Sequence, residues 1–204
     1  MKYFLLFFLW IGTIHINAQE ISFSSGINYT KYIYKNSLGE SNKNVNPGTG
    51  NFYEMAYQRK FTKTSKFKYA AGVALNEFNA TGGNLVSVYS WKSSYLGLKT
   101  GISYDVINTK SGLNIALNIG LNGNTIIKGE QLINGLAFNL TKEPEFKGYF
   151  LQSMAGVDFL YGVTKKTIIG VGYNYSKNLK ISVRTDEVLE FQTNQLQFKL
   201  QFKI

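Results

Sequence analysis

The chain has 204 residues, a formal net charge of +10, 15% aromatic residues, two prolines and no cysteine. Without cysteine there is no disulfide, so backbone pairing and packing must hold the fold, and soft-metal sites lose their best ligand. The single histidine, His15, falls near the N-terminus, which leaves the rest of the chain without the commonest general base and disfavours catalysis.

Residues 1–18 read as a cleavable secretory signal peptide. Lys2 supplies the positive start, Phe4 to Ile14 the apolar stretch, and Ile16-Asn17-Ala18 a small residue before Gln19. The expected mature domain is 19–204, long enough for one domain. Beyond the signal no run approaches the roughly 18 apolar residues of a membrane helix. A mature chain that spans a membrane must therefore do so as a closed barrel.

From Gln19 on, apolar and polar residues alternate. Ile21, Phe23, Ile27 and Tyr29 mark strand one, and Lys35 to Gly50, with Pro47, reads as a long loop. Strand two carries Tyr53, Met55, Tyr57 and Phe61 and strand three Phe67, Tyr69, Val73 and Leu75, joined by the short turn Thr62 to Ser65. Thr81-Gly82-Gly83-Asn84 is a turn signal. Strand four then runs with even parity through Leu96, Leu98, Ile102 and Tyr104 to the short turn Asn108 to Gly112. Strand five, Leu113 to Asn122, alternates most clearly, and Lys128 to Lys147 is the longest connection. Strand six holds Val157, Phe159 and Tyr161, and strand seven, after the turn Val163 to Lys166, holds Ile169, Val171, Tyr173 and Tyr175. Strand seven has the pattern to run on through Leu179, Ile181 and Val183 to a turn at Arg184 to Glu187.

Strand eight returns from Val188 to Ile204. Its last ten residues set Leu196, Phe198, Leu200, Phe202 and Ile204 against Gln195, Gln197, Lys199, Gln201 and Lys203, and disturbed parity between Phe191 and Leu196 points to a bulge. A terminal strand of this kind needs both edges paired, which closure supplies. The fold class expected is all-β: an eight-stranded antiparallel up-and-down transmembrane barrel with short turns at one end and long connections at the other.

Composition decides which face looks out. The polar face is mostly small or amide residues, which suits a narrow filled lumen, whereas the apolar face is too bulky for the inside of eight strands. Aromatics gather at the two levels where interfacial girdles lie: Phe23, Phe61, Phe67, Tyr69, Tyr104, Phe159, Tyr161 and Phe202 toward one edge, and Tyr29, Tyr53, Tyr173 and Tyr175 toward the other. A soluble, lipocalin-like binding barrel shares the period with its faces reversed, and stands as a third reading.

The strand pattern and the terminal segment resemble the small outer-membrane β-barrel family of Gram-negative bacteria, the outer-membrane protein A and X type with a porin-like β-barrel domain. The resemblance covers Gln19 to Ile204 and rests on pattern. It implies outer-membrane localisation, lipid and lipopolysaccharide as surroundings, and the barrel-assembly machinery as a partner. Phe198, Leu200, Phe202 and Ile204 would carry the assembly signal, although members usually end in phenylalanine and this chain ends in Ile204.

Glu54, Asp105 and Asp158 face inward by parity, as do Lys60, Lys66, Lys68, Lys99, Lys199 and Lys203. They form either an ion path or a lumenal ion-pair network. The network is favoured, because a buried charge needs a partner and an eight-stranded lumen is narrow. Lys63, Lys110, Lys165 and Lys166 cluster in the short turns, as solvated charge or an anion site. Leu132, Ile133, Leu136 and Phe138 are unusually apolar for an external connection; they extend strands five and six or fold over the barrel mouth, the favoured reading, or are a candidate contact for an extracellular ligand or partner protein.

No cofactor, metal site or nucleic-acid partner is implied. The functional expectation is a non-catalytic outer-membrane barrel with a structural or surface-interaction role, the alternative being a narrow pore or small-solute transporter.

Overall fold

The computed structural model describes residues 19–35, 38, 40, 44–83, 88–143, 146–179 and 188–204. Nine strands follow in chain order: β1 (Gln19–Lys35), β2 (Val45–Lys60), β3 (Phe67–Gly83), β4 (Val88–Asn108), β5 (Leu113–Ile133), β6 (Leu136–Asn139), β7 (Tyr149–Gly162), β8 (Thr167–Asn178) and β9 (Val188–Lys203). Eight of them close a ring, β1-β2-β3-β4-β5-β7-β8-β9, every pairing antiparallel, and β6 hangs on the upper part of β5 as a short hairpin. Ring closure comes from β1 meeting β9, register running from Glu20 opposite Lys203 to Lys35 opposite Val188. The Ile204 amide donates to the Gln19 carbonyl at 2.9 Å, so both ends of the domain share one rim.

The barrel has an apolar outside. Leu98, Leu196 and Ile119 are 68%, 66% and 62% exposed while Ser22, Asn28 and Gln201 on the opposite parity are 0%, 0% and 1% exposed. A soluble barrel needs the reverse, so the lipocalin-like reading is overturned. The outward residues require lipid.

Strand lengths set the outline. Crossing a bilayer takes roughly 9–11 tilted residues, which β7 and β8 barely exceed with 14 and 12, whereas β4 and β5 have 21 each. Among the described residues, β4 and β5 make the tallest part of the wall at the end remote from the termini. Regular pairing continues well past the membrane, and several expected loops are strand. β1 runs on to Lys35 and β2 begins at Val45, inside the expected Lys35–Gly50 loop, with a register shift between Pro47 and Phe52. The expected turn at Thr81–Asn84 is instead the end of β3 as far as Gly83. The Lys128–Lys147 connection holds the end of β5, β6 and a 3-10 turn, Leu140–Lys142.

The bulge expected between Phe191 and Leu196 is absent. β9 keeps unbroken register with β1 from Val188 to Lys203 and with β8 from Gln192 to Phe202. Its inward parity stays odd throughout; what changes is chemistry, from Gln and Lys below to Phe191 above. Besides the shift between Pro47 and Phe52, register shifts lie in the β4–β5 pairing, at Ser94/Tyr95 and Asp105/Ile107. The expected signal peptide and the proposed continuation of strand seven through Arg184–Glu187 lie outside the described residues.

Candidate functional site

The inside of the barrel is built in layers, which the register orders from the rim of the termini upward. At the bottom, Lys68 Nζ lies 3.0 Å from Glu20 Oε2 and 3.9 Å from Asp105 Oδ2, all three side chains buried. Next, Asp158 accepts from Lys199 Nζ at 2.5 Å, from Asn118 Nδ2 at 2.9 Å and from Gln197 Nε2 at 3.1 Å. A third pair joins Lys99 to Glu54, and the Lys99 ammonium also sits over the Phe52 ring, 5.5 Å from its centroid. Each charge buried from water thus meets an opposite charge, the condition under which its desolvation is tolerable. Gly172 makes room for the second layer, since a Cβ there would stand 2.2 Å from Asp158 Oδ1.

Six of the seven residues expected in the network are therefore placed in these pairs. Lys203 is not; as the last residue of β9 it is exposed at the rim, and Lys66, just before β3, is exposed there too. Glu20 is the member that sequence reasoning missed. It shares the even parity of Ser22 and Ser24 and was legible by that rule, one residue after the expected cleavage point.

Above the charges lies a layer of amides. Gln195 Nε2 donates to Asn28 Oδ1 at 2.9 Å, Asn174 Nδ2 to Gln195 Oε1 at 3.3 Å, Asn76 Nδ2 to Asn124 Oδ1 at 3.3 Å, and Asn124 Nδ2 to Gln152 Oε1 at 3.1 Å. Lumenal voids of about 50 and 20 Å³ remain between these layers. Each holds a few waters at most, since one water occupies about 10–15 Å³ on this measure.

The lumen then turns apolar, which the reading of a uniformly polar interior did not anticipate. Tyr32, Phe78, Ala80, Tyr95 and Phe191 form a buried cluster, with Val45, Trp91, Ile126, Phe146, Phe150 and Leu189 packed against it. Ring centroids lie 4.8 Å apart for Tyr32–Phe191, 5.3 Å for Phe78–Phe191 and 5.1 Å for Tyr95–Phe150. The Tyr32 hydroxyl donates to the Phe78 carbonyl at 2.7 Å, and Ser93 Oγ donates to the same carbonyl at 2.6 Å. Phe146 and Phe150 pack against this cluster, the Phe150 ring 5.2 Å from that of Phe191. The upper interior is packed like a soluble core.

No protein-family model matches the sequence, and no curated protein does. Among solved structures the chain is similar to Neisserial surface protein A, at 12% identity and TM-score 0.55 over 92% of this chain and 99% of that one. It is also similar to outer membrane protein OprG of Pseudomonas aeruginosa, at 12% identity and TM-score 0.52 over 92% and 96%. A third likeness, to the outer membrane protease OmpT of Escherichia coli, has 7% identity and TM-score 0.52 over 94% and 99%. The fold is that of the small outer-membrane β-barrels. An apolar exterior requires a bilayer, and the outer membrane is where barrels of this fold reside. Because one of these structures is a protease, the fold by itself does not decide whether catalysis occurs.

On the outside of this outer-membrane barrel the aromatics named from sequence take two levels. Near the rim of the termini, Phe67 and Tyr104 lie 4.7 Å apart, Phe61 and Tyr69 5.8 Å, and Phe23 and Phe202 6.4 Å; Phe159 and Tyr161 also point outward there, 48% and 52% exposed. At the other level, Tyr173 donates to Asn194 Oδ1 at 2.5 Å, Gln192 Nε2 donates to the Tyr175 hydroxyl at 2.5 Å, and Tyr29 and Tyr53 are half exposed. Of the terminal residues, Phe198, Phe202 and Ile204 are exposed on the lipid side and Leu200 partly so. In the third long connection Leu132 and Ile133 belong to β5 and are partly covered, while Leu136 and Phe138 of β6 are 67% and 45% exposed. Among the described residues no group of three or more Asp, Glu, His or Cys side chains has the arrangement of a metal site.

Proposed function

We propose that the chain is a non-catalytic integral outer-membrane protein, exported by the signal at 1–18, with a structural or surface-interaction role made by its external end. The observation that carries this reading is the aromatic cluster around Tyr32 and Phe191. It fills the barrel beyond the bilayer, so the tall wall is a rigid platform for surface contact rather than the vestibule of a channel. Among the described residues, the ion pairs and amide layers below it enclose small separate voids, which speaks against transport. The lack of histidine and cysteine after His15 supports the absence of catalysis.

Leu136 and Phe138 on the hairpin of β5 and β6 are the proposed contact for an extracellular ligand or partner protein. Exposed Lys92, Lys128, Lys142 and Lys147 at the same end suit anionic lipopolysaccharide. Phe198, Leu200, Phe202 and Ile204 are the proposed signal to the barrel-assembly machinery, and the two aromatic levels the proposed girdles. Purified protein in a planar bilayer tests the reading: it is expected to be silent, whereas steady ion-selective steps would establish the pore alternative.

A further inference from the structure

The rim that holds the termini encloses a second feature, a concavity of about 630 Å³ at the mouth of the lumen. Lys60, Lys63, Lys110, Lys165 and Lys203 line it, and no acidic side chain lines it except Glu20 and Asp105 of its floor, which already face Lys68. Five ammonium groups are thus left to set the field of a concave, partly desolvated space, where like charges focus the potential. The mouth is also braced. Backbone bonds tie Gly162 N to Gly112 O at 3.0 Å, Lys203 N to Lys166 O at 2.8 Å and Asp105 N to Lys66 O at 2.9 Å, linking neighbouring turns around the ring.

The floor has the opposite need. Asp105 is 3% exposed and its Oδ1 has no hydrogen-bond partner among the described residues; neither has Asn114 Oδ1, which lines the same space. Both are acceptors that want an N–H. A ligand for this mouth must therefore bring several negative charges for the rim and hydrogen-bond donors for the floor. Phosphate chains supply the first and lack the second. A polypeptide with closely spaced carboxylates supplies both, through its side chains and its backbone amides.

We infer that the mouth beside the termini is a docking site for an acidic peptide segment of a periplasmic partner. Only the partner's location rests on the outer-membrane reading. Docking itself is a property of the purified barrel, so the two stand or fall by separate measurements.

The test is fluorescence anisotropy of a short labelled peptide of alternating glutamate and serine, with the protein in nanodiscs of phosphatidylcholine at low salt. The peptide is expected to bind, with affinity falling as salt is added. Binding should weaken about fivefold or more in the double variant Lys110→Gln/Lys165→Gln. It should be unchanged in Lys31→Gln/Lys177→Gln, whose exposed lysines lie on the outer wall at the opposite end. Retained heat-modifiable mobility on gels shows that each variant is folded. Absence of peptide binding, or equal binding by the Lys110/Lys165 variant, would overturn the proposal. So would tighter binding of inorganic tripolyphosphate than of the peptide, which would reassign the mouth to phosphate.

Discussion

Tyr32 of β1 and Phe191 of β9 meet edge to face inside the barrel, their ring centroids 4.8 Å apart at an interplanar angle of 74°. The two strands are paired in register at that point, Tyr32 directly opposite Phe191. One seam therefore both closes the ring and nucleates the external core.

Truncating that contact should be costly. Phe191 is 2% exposed and touches the rings of Tyr32, Phe78, Tyr95 and Phe150, so Phe191→Ala is expected to destabilise the barrel by about 3–5 kcal/mol. Tyr32→Phe, which removes the hydroxyl's bond to the Phe78 carbonyl and its 2.9 Å contact with Ser93 Oγ, should cost about 1–2 kcal/mol. Reversible urea unfolding in detergent micelles measures both, and equal small losses would mean that the cluster is not a packed core.

The pair Asp158–Lys199 calls for a double-mutant cycle. Asp158→Asn or Lys199→Met alone leaves one buried charge unpaired and is expected to cost about 3–5 kcal/mol. The double variant removes both charges and should recover most of that loss, because the desolvation of the pair is removed with them. Strict additivity in the same unfolding assay would mean that the two charges do not interact in the folded protein.

The terminal strand carries a prediction about assembly. Ile204 is 62% exposed on the same face as Phe202, so Ile204→Phe adds apolar area on the lipid side without meeting the lumen. Folded yield in the outer membrane should be equal or higher, while Ile204→Asp should lower it. A marked loss with Phe would contradict the assigned role of the terminus.

Period-two alternation made the barrel legible, because every strand has unlike phases on its two sides and side-chain direction alternates with them. The same rule placed Glu54, Lys99, Asp158 and Lys199 in the lumen. It could not show where the lumen changes character. Phe191 has the inward parity of Gln195 and Gln197, but an aromatic among amides read as a broken pattern, and a bulge was the local explanation. Only the ring brings Phe191 against Tyr32, Phe78 and Tyr95, residues far apart in sequence. The ends of β3 and β5 were illegible for a related reason: Gly82, Gly83 and Gly129 resemble turn residues, yet neighbours extend the pairing and Leu140 packs onto Gly129. Lys63, Lys110 and Lys165 were legible as turn lysines at one end of the barrel, while closure adds Lys60 and Lys203 and sets all five around one mouth.

The claim that this is an outer-membrane barrel with its capped, hairpin-bearing end outside and its lysine-lined mouth inside is tested most directly by single-cysteine labelling. The chain has no cysteine of its own, so each introduced thiol reports alone. Leu136 and Lys110 are both exposed, at opposite ends of the barrel. On intact cells, a membrane-impermeant maleimide is expected to label Leu136→Cys at once and Lys110→Cys only after the outer membrane is permeabilised. Labelling of Lys110→Cys but not Leu136→Cys on intact cells, or recovery of the protein in the soluble fraction, would contradict the account.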